Sequence, residues 1–218
     1  MKIHRQGYNI IFYSIVILAT LNIISIYFFI DYRAVWISLL SLSVLILLFM
    51  LHFFREPERK VEEDPGKILS AADGRVVTIE ETLEDEYFGD RRLQVSVFMT
   101  LFNVHYNTYP VSGRVKYVRH HTGKFYPANH PKSSNLNERL SLVIETADGS
   151  EIMIRQVAGL IARRIKSNAE PGLQVKQGDE LGFIKFGSRV DIFLPAGTKL
   201  NINLLQAVRA NRDILAEI

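Results

Sequence analysis

Two long apolar runs near the start of the sequence place the strongest constraint on how this chain can fold. No charged residue occurs from Tyr8 to Ile30, a run of 23 residues, or from Ala34 to Phe54, a run of 21. At roughly 1.5 Å per helical residue, each run can cross a hydrocarbon layer about 30 Å thick. A signal peptide would have a shorter apolar run and would not be followed at once by a second one. We therefore expect a transmembrane helical hairpin.

The positive charges around these runs predict its orientation. Lys2 and Arg5 precede the first run, Arg55 and Arg59 follow the second, and the intervening turn carries only Arg33. Because Lys and Arg favour the cytoplasmic side of a membrane, both ends of the hairpin are expected in the cytoplasm. The rest of the chain would then lie at the cytoplasmic face of the cell membrane.

The remainder of the chain carries strand patterns. Apolar and polar residues alternate over 93–101, which is the period of a β-strand, and 147–150 forms a turn sequence between two further strand-like segments. The acidic run from Glu80 to Asp90 is expected to be a solvated loop. We predict a mostly β fold, with a compact antiparallel domain over residues 68–218, a linker over 55–67 and the membrane anchor over 1–54.

The segment 175–194 resembles the hairpins of biotinyl and lipoyl carrier domains, which are flattened β-barrels. Such carriers present a lysine at the hairpin tip, whereas this chain has Gly187 and Ser188 there and Lys185 in the preceding strand. A membrane-tethered barrel-sandwich carrier or adaptor without catalysis is therefore one alternative. It predicts an intact chain with a modified lysine.

Positive charge is concentrated between Asp90 and Glu138, where no acidic residue occurs. The stretch contains Arg91, Arg92, Arg114, Lys116, Arg119, Lys124 and Lys132, together with His105, His120, His121 and His130. Such a patch attracts anions, and beside a membrane anchor the expected partner is an anionic phospholipid rather than a nucleic acid. The candidate phosphate contacts are Arg114, Lys116 and Arg119, and a solvated basic face is the alternative.

No metal site is predicted from the histidines of this stretch. His120, His121 and His130 lie close in sequence, but no nearby carboxylate or cysteine completes a ligand set. The sequence contains no cysteine at all, which excludes thiolate chemistry.

Gly187-Ser188 is the candidate reactive site. A serine hydroxyl can attack its own preceding carbonyl carbon and give an ester, and a glycine at that carbonyl offers little steric hindrance and tolerates strained backbone angles. β-Elimination from the ester would release the upstream chain and leave dehydroalanine, which hydrolyses to a pyruvoyl group. A Gly-Ser pair is also an ordinary turn sequence, so this interpretation depends on its context.

Several segments together resemble the short class of phosphatidylserine decarboxylases. They occur in family order over most of residues 65–205, and this class also has an N-terminal hydrophobic hairpin. The segments are SAADG at 70–74, FNVHYN at 102–107, NER at 137–139, QVAGLIARRI at 156–165, and FGSRVD at 186–191 followed by Leu194-Pro195.

This resemblance implies a pyruvoyl-dependent carboxy-lyase that cuts itself between Gly187 and Ser188 into a β chain, 1–187, and an α chain, 188–218. Ser188 would become the pyruvoyl cofactor, His105 would accept the serine proton, and Asp73 would orient the histidine. The reaction would convert phosphatidylserine to phosphatidylethanolamine and CO₂. Considered alone, Asp73 could belong to an Asp-Gly turn, and His105 could be a hydrogen-bonded core histidine.

Two positions depart from the longer bacterial class of that family. Arg189 follows the cleavage serine where Ser or Thr is usual, and Phe102 stands where that class has a second histidine. If that histidine protonates the decarboxylated product, then His105 or water must do so here. Archaetidylserine, an ether lipid with the same head group, is an alternative substrate. Pairing into a homo-oligomer would cover exposed strand edges.

Overall fold

The computed structural model describes residues 2–124, 126–128, 133–159, 165–185 and 187–217. The chain divides into two compact units, Met1–Glu58 and Arg59–Ile218. Strands account for 40% of the structure and helices for 24%, and the main antiparallel sheet curls into a half-barrel. The predicted fold class, a mostly β domain with two apolar helices at the N-terminus, is therefore confirmed.

The first unit is a pair of helices. Helix α1 spans Arg5–Phe28 and α2 spans Arg33–Phe53, so both lie within three residues of the predicted runs. Both are long and apolar enough to cross a membrane. The Asn22 amide of α1 donates to the Ser43 hydroxyl of α2 at 2.8 Å; hydrogen bonds of this kind link neighbouring helices in apolar surroundings. Short strands β1, Lys2–Ile3, and β2, Arg55–Glu56, pair beside the helix ends.

The second unit is built from strands and one helical turn, α3, at Ser133–Leu136. In chain order the strands are β3 Lys67–Leu69, β4 Gly74–Glu84, β5 Asp90–Met99, β6 Tyr106–Thr108, β7 Gly113–His121, β8 Arg139–Glu145, β9 Glu151–Ala158, β10 Ile165–Ser167, β11 Gln174–Val175, β12 Glu180–Ile184, β13 Ser188–Pro195, β14 Lys199–Leu200, β15 Ala207–Val208 and β16 Ile214–Glu217.

The main sheet places β13 near its middle. Among the described residues its strand order is β11-β7-β8-β9-β13-β5-β4-β15, and its neighbours pair antiparallel. Two three-stranded sheets accompany it, β10-β12-β6 and β14-β16-β3. The predicted turn at 147–150 joins β8 to β9, with Gly149 in the left-handed region at φ 85°. Strand β13 therefore has a partner on each side for most of its length.

The two faces of this sheet differ in chemistry because side chains alternate along each strand. One face contributes Val97, Ile154 and Ile192 to the apolar core. The opposite face of the same strands carries buried polar groups, among them Arg155 and Asp191. A strand buried on both faces holds its residues rigidly, which matters because the candidate site lies at the first residue of β13.

The prediction of a solvated acidic loop over Glu80–Asp90 is wrong. Strand β4 continues to Glu84, whose side chain is 1% exposed and accepts a hydrogen bond from Arg155 at 2.7 Å. Glu86 accepts from Arg155 at 3.0 Å and lies 2.8 Å from the ring nitrogen of His121. These partners come from β9 and β7, so the charges that make burial favourable lie far away in sequence.

Burial alone would raise the pKa of Glu86. The hydrogen bond with His121 and the charge of Arg155 outweigh that effect, and the pKa of this carboxyl is lowered. The carboxylate is therefore held in its ionised form inside the fold.

Candidate active site

Ser188 is the first residue of β13 and is fully buried. Its ladder partners are Met99 at the end of β5 and Ala158 at the end of β9. The hydroxyl donates to the Met99 sulfur at 3.9 Å, and a thioether is a weak acceptor. The candidate nucleophile thus lies in a water-excluded position, held by a contact that it can leave at little cost.

The residue before it, Gly187, has φ +68°, in the left-handed region where an L side chain is strained. A Cβ added at Gly159 would collide with the Gly187 carbonyl oxygen. Glycine is therefore needed at residue 187 for the left-handed turn, and at residue 159 for the close approach of the Gly187 carbonyl. The Gly187 carbonyl lies directly against the backbone that follows β9.

His105 contacts the N–H of Gly187. The Gly187 N–H donates to His105 Nε2 at 3.2 Å, and His105 Nδ1 lies 3.0 Å from the Asn103 carbonyl oxygen. Because a carbonyl only accepts, these contacts assign the proton to Nδ1 and a lone pair to Nε2. The imidazole is also fully buried. The nitrogen that can act as a base therefore faces the Gly187-Ser188 segment.

Comparisons with known proteins place this chain in a family. A family model described as phosphatidylserine decarboxylase matches residues 46–216. The "Phosphatidylserine decarboxylase proenzyme" of Cytophaga hutchinsonii is 45% identical over 217 residues, covering 100% of this chain and 99% of that protein. The chain belongs to the phosphatidylserine decarboxylase family. Proteins with the same name from Bacteroides fragilis and Porphyromonas gingivalis are 46% and 38% identical, each over 100% of this chain and over 96% and 99% of their own lengths.

In this member of the phosphatidylserine decarboxylase family, the three residues of the predicted triad do not all meet. His105 accepts from the N–H of Gly187, the residue before Ser188, whereas Asp73 is bonded elsewhere. Its Oδ2 accepts from Arg59 Nη2 at 2.7 Å, and its Oδ1 accepts from the Ala210 amide at 2.9 Å and from Arg59 Nη1. Within the described residues, neither oxygen bonds to His105. The catalytic role of Asp73 stays a prediction.

Arg59 is a contact that the sequence analysis missed, since it was counted only as a positive charge after the helices. Its Nη1 also donates to the Ala210 carbonyl at 2.7 Å. The hydrogen bond to Asp73, despite partial burial, raises the pKa of the Arg59 guanidinium, so the guanidinium stays charged. The sequence carries no local signal for the contact between Arg59 and Ala210, because the two residues lie at opposite ends of the domain sequence.

The candidate phosphate contacts on β7 are solvent-facing: Arg114, Lys116 and Arg119 are all exposed. Lys116 forms an ion pair with Glu145 of β8 at 2.9 Å, and His120 lies 3.3 Å from Glu138. Glu138 and Glu145 lie outside the basic stretch in sequence, but the fold brings their carboxylates next to His120 and Lys116 of that stretch. Contact of these residues with a phosphate stays a prediction.

Part of the basic stretch and parts of the family segments fall outside the described residues. These are His130 and Lys132 of the stretch, Phe186 before the candidate cleavage site, and 160–164 of the QVAGLIARRI segment. Phe102, which stands in place of a second histidine, is 69% exposed.

Proposed function

We propose that this chain is the proenzyme of a phosphatidylserine decarboxylase, which cuts itself between Gly187 and Ser188. The observation that carries the proposal is the contact between His105 Nε2 and the Gly187 N–H at 3.2 Å. It directs an unprotonated imidazole nitrogen at the backbone of a left-handed glycine, and a buried serine follows that glycine. Membership in the family supports decarboxylation as the activity of the mature protein.

Self-cleavage begins with the Ser188 hydroxyl. When this group turns from the Met99 sulfur toward the Gly187 carbonyl carbon, His105 Nε2 releases the Gly187 N–H and accepts the serine proton, and an Oγ–C bond forms. The C–N bond then breaks, and His105 returns the proton to the nitrogen of Ser188. The product is an ester that joins Gly187 to the oxygen of Ser188. Burial of both side chains excludes bulk water, so acyl transfer competes well with hydrolysis.

Elimination follows from the ester. A base removes the α proton of residue 188, the Cβ–O bond breaks, and Gly187 leaves as a carboxylate at the end of chain 1–187. The remaining dehydroalanine takes up water and releases ammonia, which leaves a ketone at the start of chain 188–218. The residues present fit this group: the serine is the first residue of a rigid central strand, and the preceding peptide already has a sharp bend.

A pyruvoyl group supplies an electron sink for the loss of CO₂ from an amino acid head group. The substrate is phosphatidylserine, and the apolar helices α1 and α2 hold the domain at the lipid surface, on the cytoplasmic side of the cell membrane. Arg55 and Arg59 follow α2 in the sequence, where the chain leaves the helices, and positive charge at this position agrees with that orientation.

The mass of the denatured, purified protein tests the proposal. We expect two fragments, 1–187 and 188–218, with the smaller one refractory to Edman sequencing and labelled by phenylhydrazine. The Ser188→Ala variant, which lacks the nucleophile, should give one intact chain. A fully active protein that stays in one piece would contradict the proposal, and label on Lys185 would favour a carrier. Assays with diacyl and ether-linked head-group lipids identify the preferred tails.

A further inference from the structure

Two buried carboxamides lie beside Ser188 inside the fold. Gln156 Nε2 of β9 donates to Asn107 Oδ1 of β6 at 2.9 Å, and both side chains are 0% exposed. Asn107 Nδ2 points at the Met99 sulfur at 3.5 Å, the same sulfur that accepts from the Ser188 hydroxyl. A single thioether therefore separates the amide pair from the nucleophile.

The sheet register places Gln156 on the same face as the nucleophile. In the ladder between β9 and β13, Ala158 is opposite Ser188 and Gln156 is opposite Val190. Side chains two residues apart along a strand share a face, and diagonal neighbours across a ladder lie within reach of long side chains. Gln156 is consequently a diagonal neighbour of the residue that would carry the ketone.

The hydrogen-bonding capacity of this pair is not fully used. Gln156 Oε1 is buried and has no hydrogen-bond partner among the described residues, and Asn107 Nδ2 is directed at a weak acceptor. Buried polar atoms without partners are rare and unfavourable. The inward positions before Gln156 on this strand are Ile152 and Ile154, so packing alone would favour another apolar side chain there.

We propose that Asn107 and Gln156 bind the amino acid end of the substrate head group, a primary amine with an adjacent carboxylate. Gln156 Oε1 accepts an N–H of the amine, and Asn107 Nδ2 donates to the carboxylate. This proposal rests on the proposed function, because it requires conversion of Ser188 to a ketone. That conversion removes the Ser188 hydroxyl from the Met99 sulfur, and the flexible Met99 side chain can then move away from Asn107 Nδ2.

The chemistry of the pair suits decarboxylation. A carboxamide orients a carboxylate without the full charge that Arg or Lys would supply, and a carboxylate in a dry site with neutral donors loses its charge as CO₂ more readily. Within the described residues, the hydrogen bonds of Asn107 and Gln156 are made to amide and thioether groups. Binding and chemistry are thus served by the same neutral groups.

The test compares the full-length parent with the double variant Asn107→Leu/Gln156→Met and with Asn107→Leu alone. Cyanoborohydride should fix added amines on the ketone at residue 188, and the mass of fragment 188–218 measures the yield. The probes are O-phospho-L-serine and O-phosphoethanolamine, which differ only in the carboxyl group. For phosphoserine, the yield includes adducts that retain the carboxyl group and adducts that have lost it as CO₂.

We expect the parent to prefer phosphoserine by roughly tenfold or more, the discrimination typical of one hydrogen bond to a charged group. Both variants should still cleave and still carry the ketone, while the preference falls toward one. The double variant should melt no earlier than the parent, because replacing both members of a buried pair by apolar groups is close to neutral.

Variants that keep the parental preference would overturn this proposal. So would a variant that folds but fails to cleave, since the pair would then serve processing rather than binding. A parent that is never cleaved, or that has no ketone, would instead contradict the proposed function. The single variant keeps the test decisive if the double variant fails to fold.

Discussion

The guanidinium of Arg59 forms a bidentate ion pair with the carboxylate of Asp73, in which Nη2 lies 2.7 Å from Oδ2 and Nη1 donates to Oδ1. The same Arg59 and Asp73 also bind the carbonyl and the amide of Ala210. This network fixes the turn before β4, and the Ala71 carbonyl of that turn accepts from the Thr108 amide of β6, three residues after His105. Asp73 is therefore connected to His105, the proposed base, through the backbone.

This network predicts the effects of substitutions on self-cleavage. Asp73→Asn and Arg59→Met should each slow the appearance of fragment 188–218 by at least about tenfold, equivalent to about 1.4 kcal/mol of activation free energy, and Arg59→Lys should be slowed less. The double variant should be little slower than either single variant, because both remove one interaction. If Arg59→Met cleaved at the parental rate while Asp73→Asn did not, the carboxylate would be acting on His105 directly.

The His105→Ala variant should remain uncleaved and folded. The substitution removes the Nε2 acceptor beside Gly187 but leaves the strands of the main sheet unchanged. His120→Ala is the matched control, since His120 is exposed on β7 and adjoins Glu138, and it should cleave normally. The ratio of the intact and cleaved masses provides the measurement, with circular dichroism to establish folding. Normal cleavage of His105→Ala would assign the base to another group.

Gly159→Ala should block or strongly slow self-cleavage. A methyl group at this position collides with the Gly187 carbonyl oxygen, so the carbonyl must leave the position in which Ser188 can reach it. Gly113→Ala is a control of similar severity, because its methyl group collides with the Glu145 carbonyl away from the site. Both variants should melt at lower temperature, and only Gly159→Ala should lose cleavage. Equal cleavage rates for the two would show that the close approach is merely structural.

The buried cluster around Glu86 predicts a specific acid sensitivity. The pKa of Glu86 is lowered from its ordinary 4.5, so its contribution to stability is fully present above about pH 4.5 and is lost as the pH falls through the lower, folded value. The charged or titratable groups facing it are Arg155, Arg139, His121 and Tyr117. In the uncleaved Ser188→Ala background, Glu86→Gln should be less stable at neutral pH and should lose less stability on acidification.

Thermal melting between pH 6 and pH 3 measures this difference, with Glu81→Gln as an exposed control. Parallel pH curves for Glu86→Gln and its parent would show that the cluster does not titrate with folding.

The sequence by itself determined the features that depend on local periodicity. The length of two uncharged runs predicted α1 and α2 to within three residues, because spanning a bilayer requires a continuous apolar helix of a given length. Alternation over 93–101 predicted β5 in the same way, since side-chain direction repeats every two residues. The Gly-Ser pair was identified as a candidate site from its chemistry and from its family motif.

The tertiary structure decided which side chains meet, because strand register and sheet order bring together residues far apart in the chain. Nothing local to Glu86 indicates that Arg155 neutralises it, and nothing local to Asp73 indicates that it pairs with Arg59. The approach of Gly159 to the Gly187 carbonyl likewise exists only when β9 and β13 are adjacent. Local patterns fix the elements and their faces, whereas the partners of buried charges such as Glu84 and Glu86 are set by long-range strand pairing.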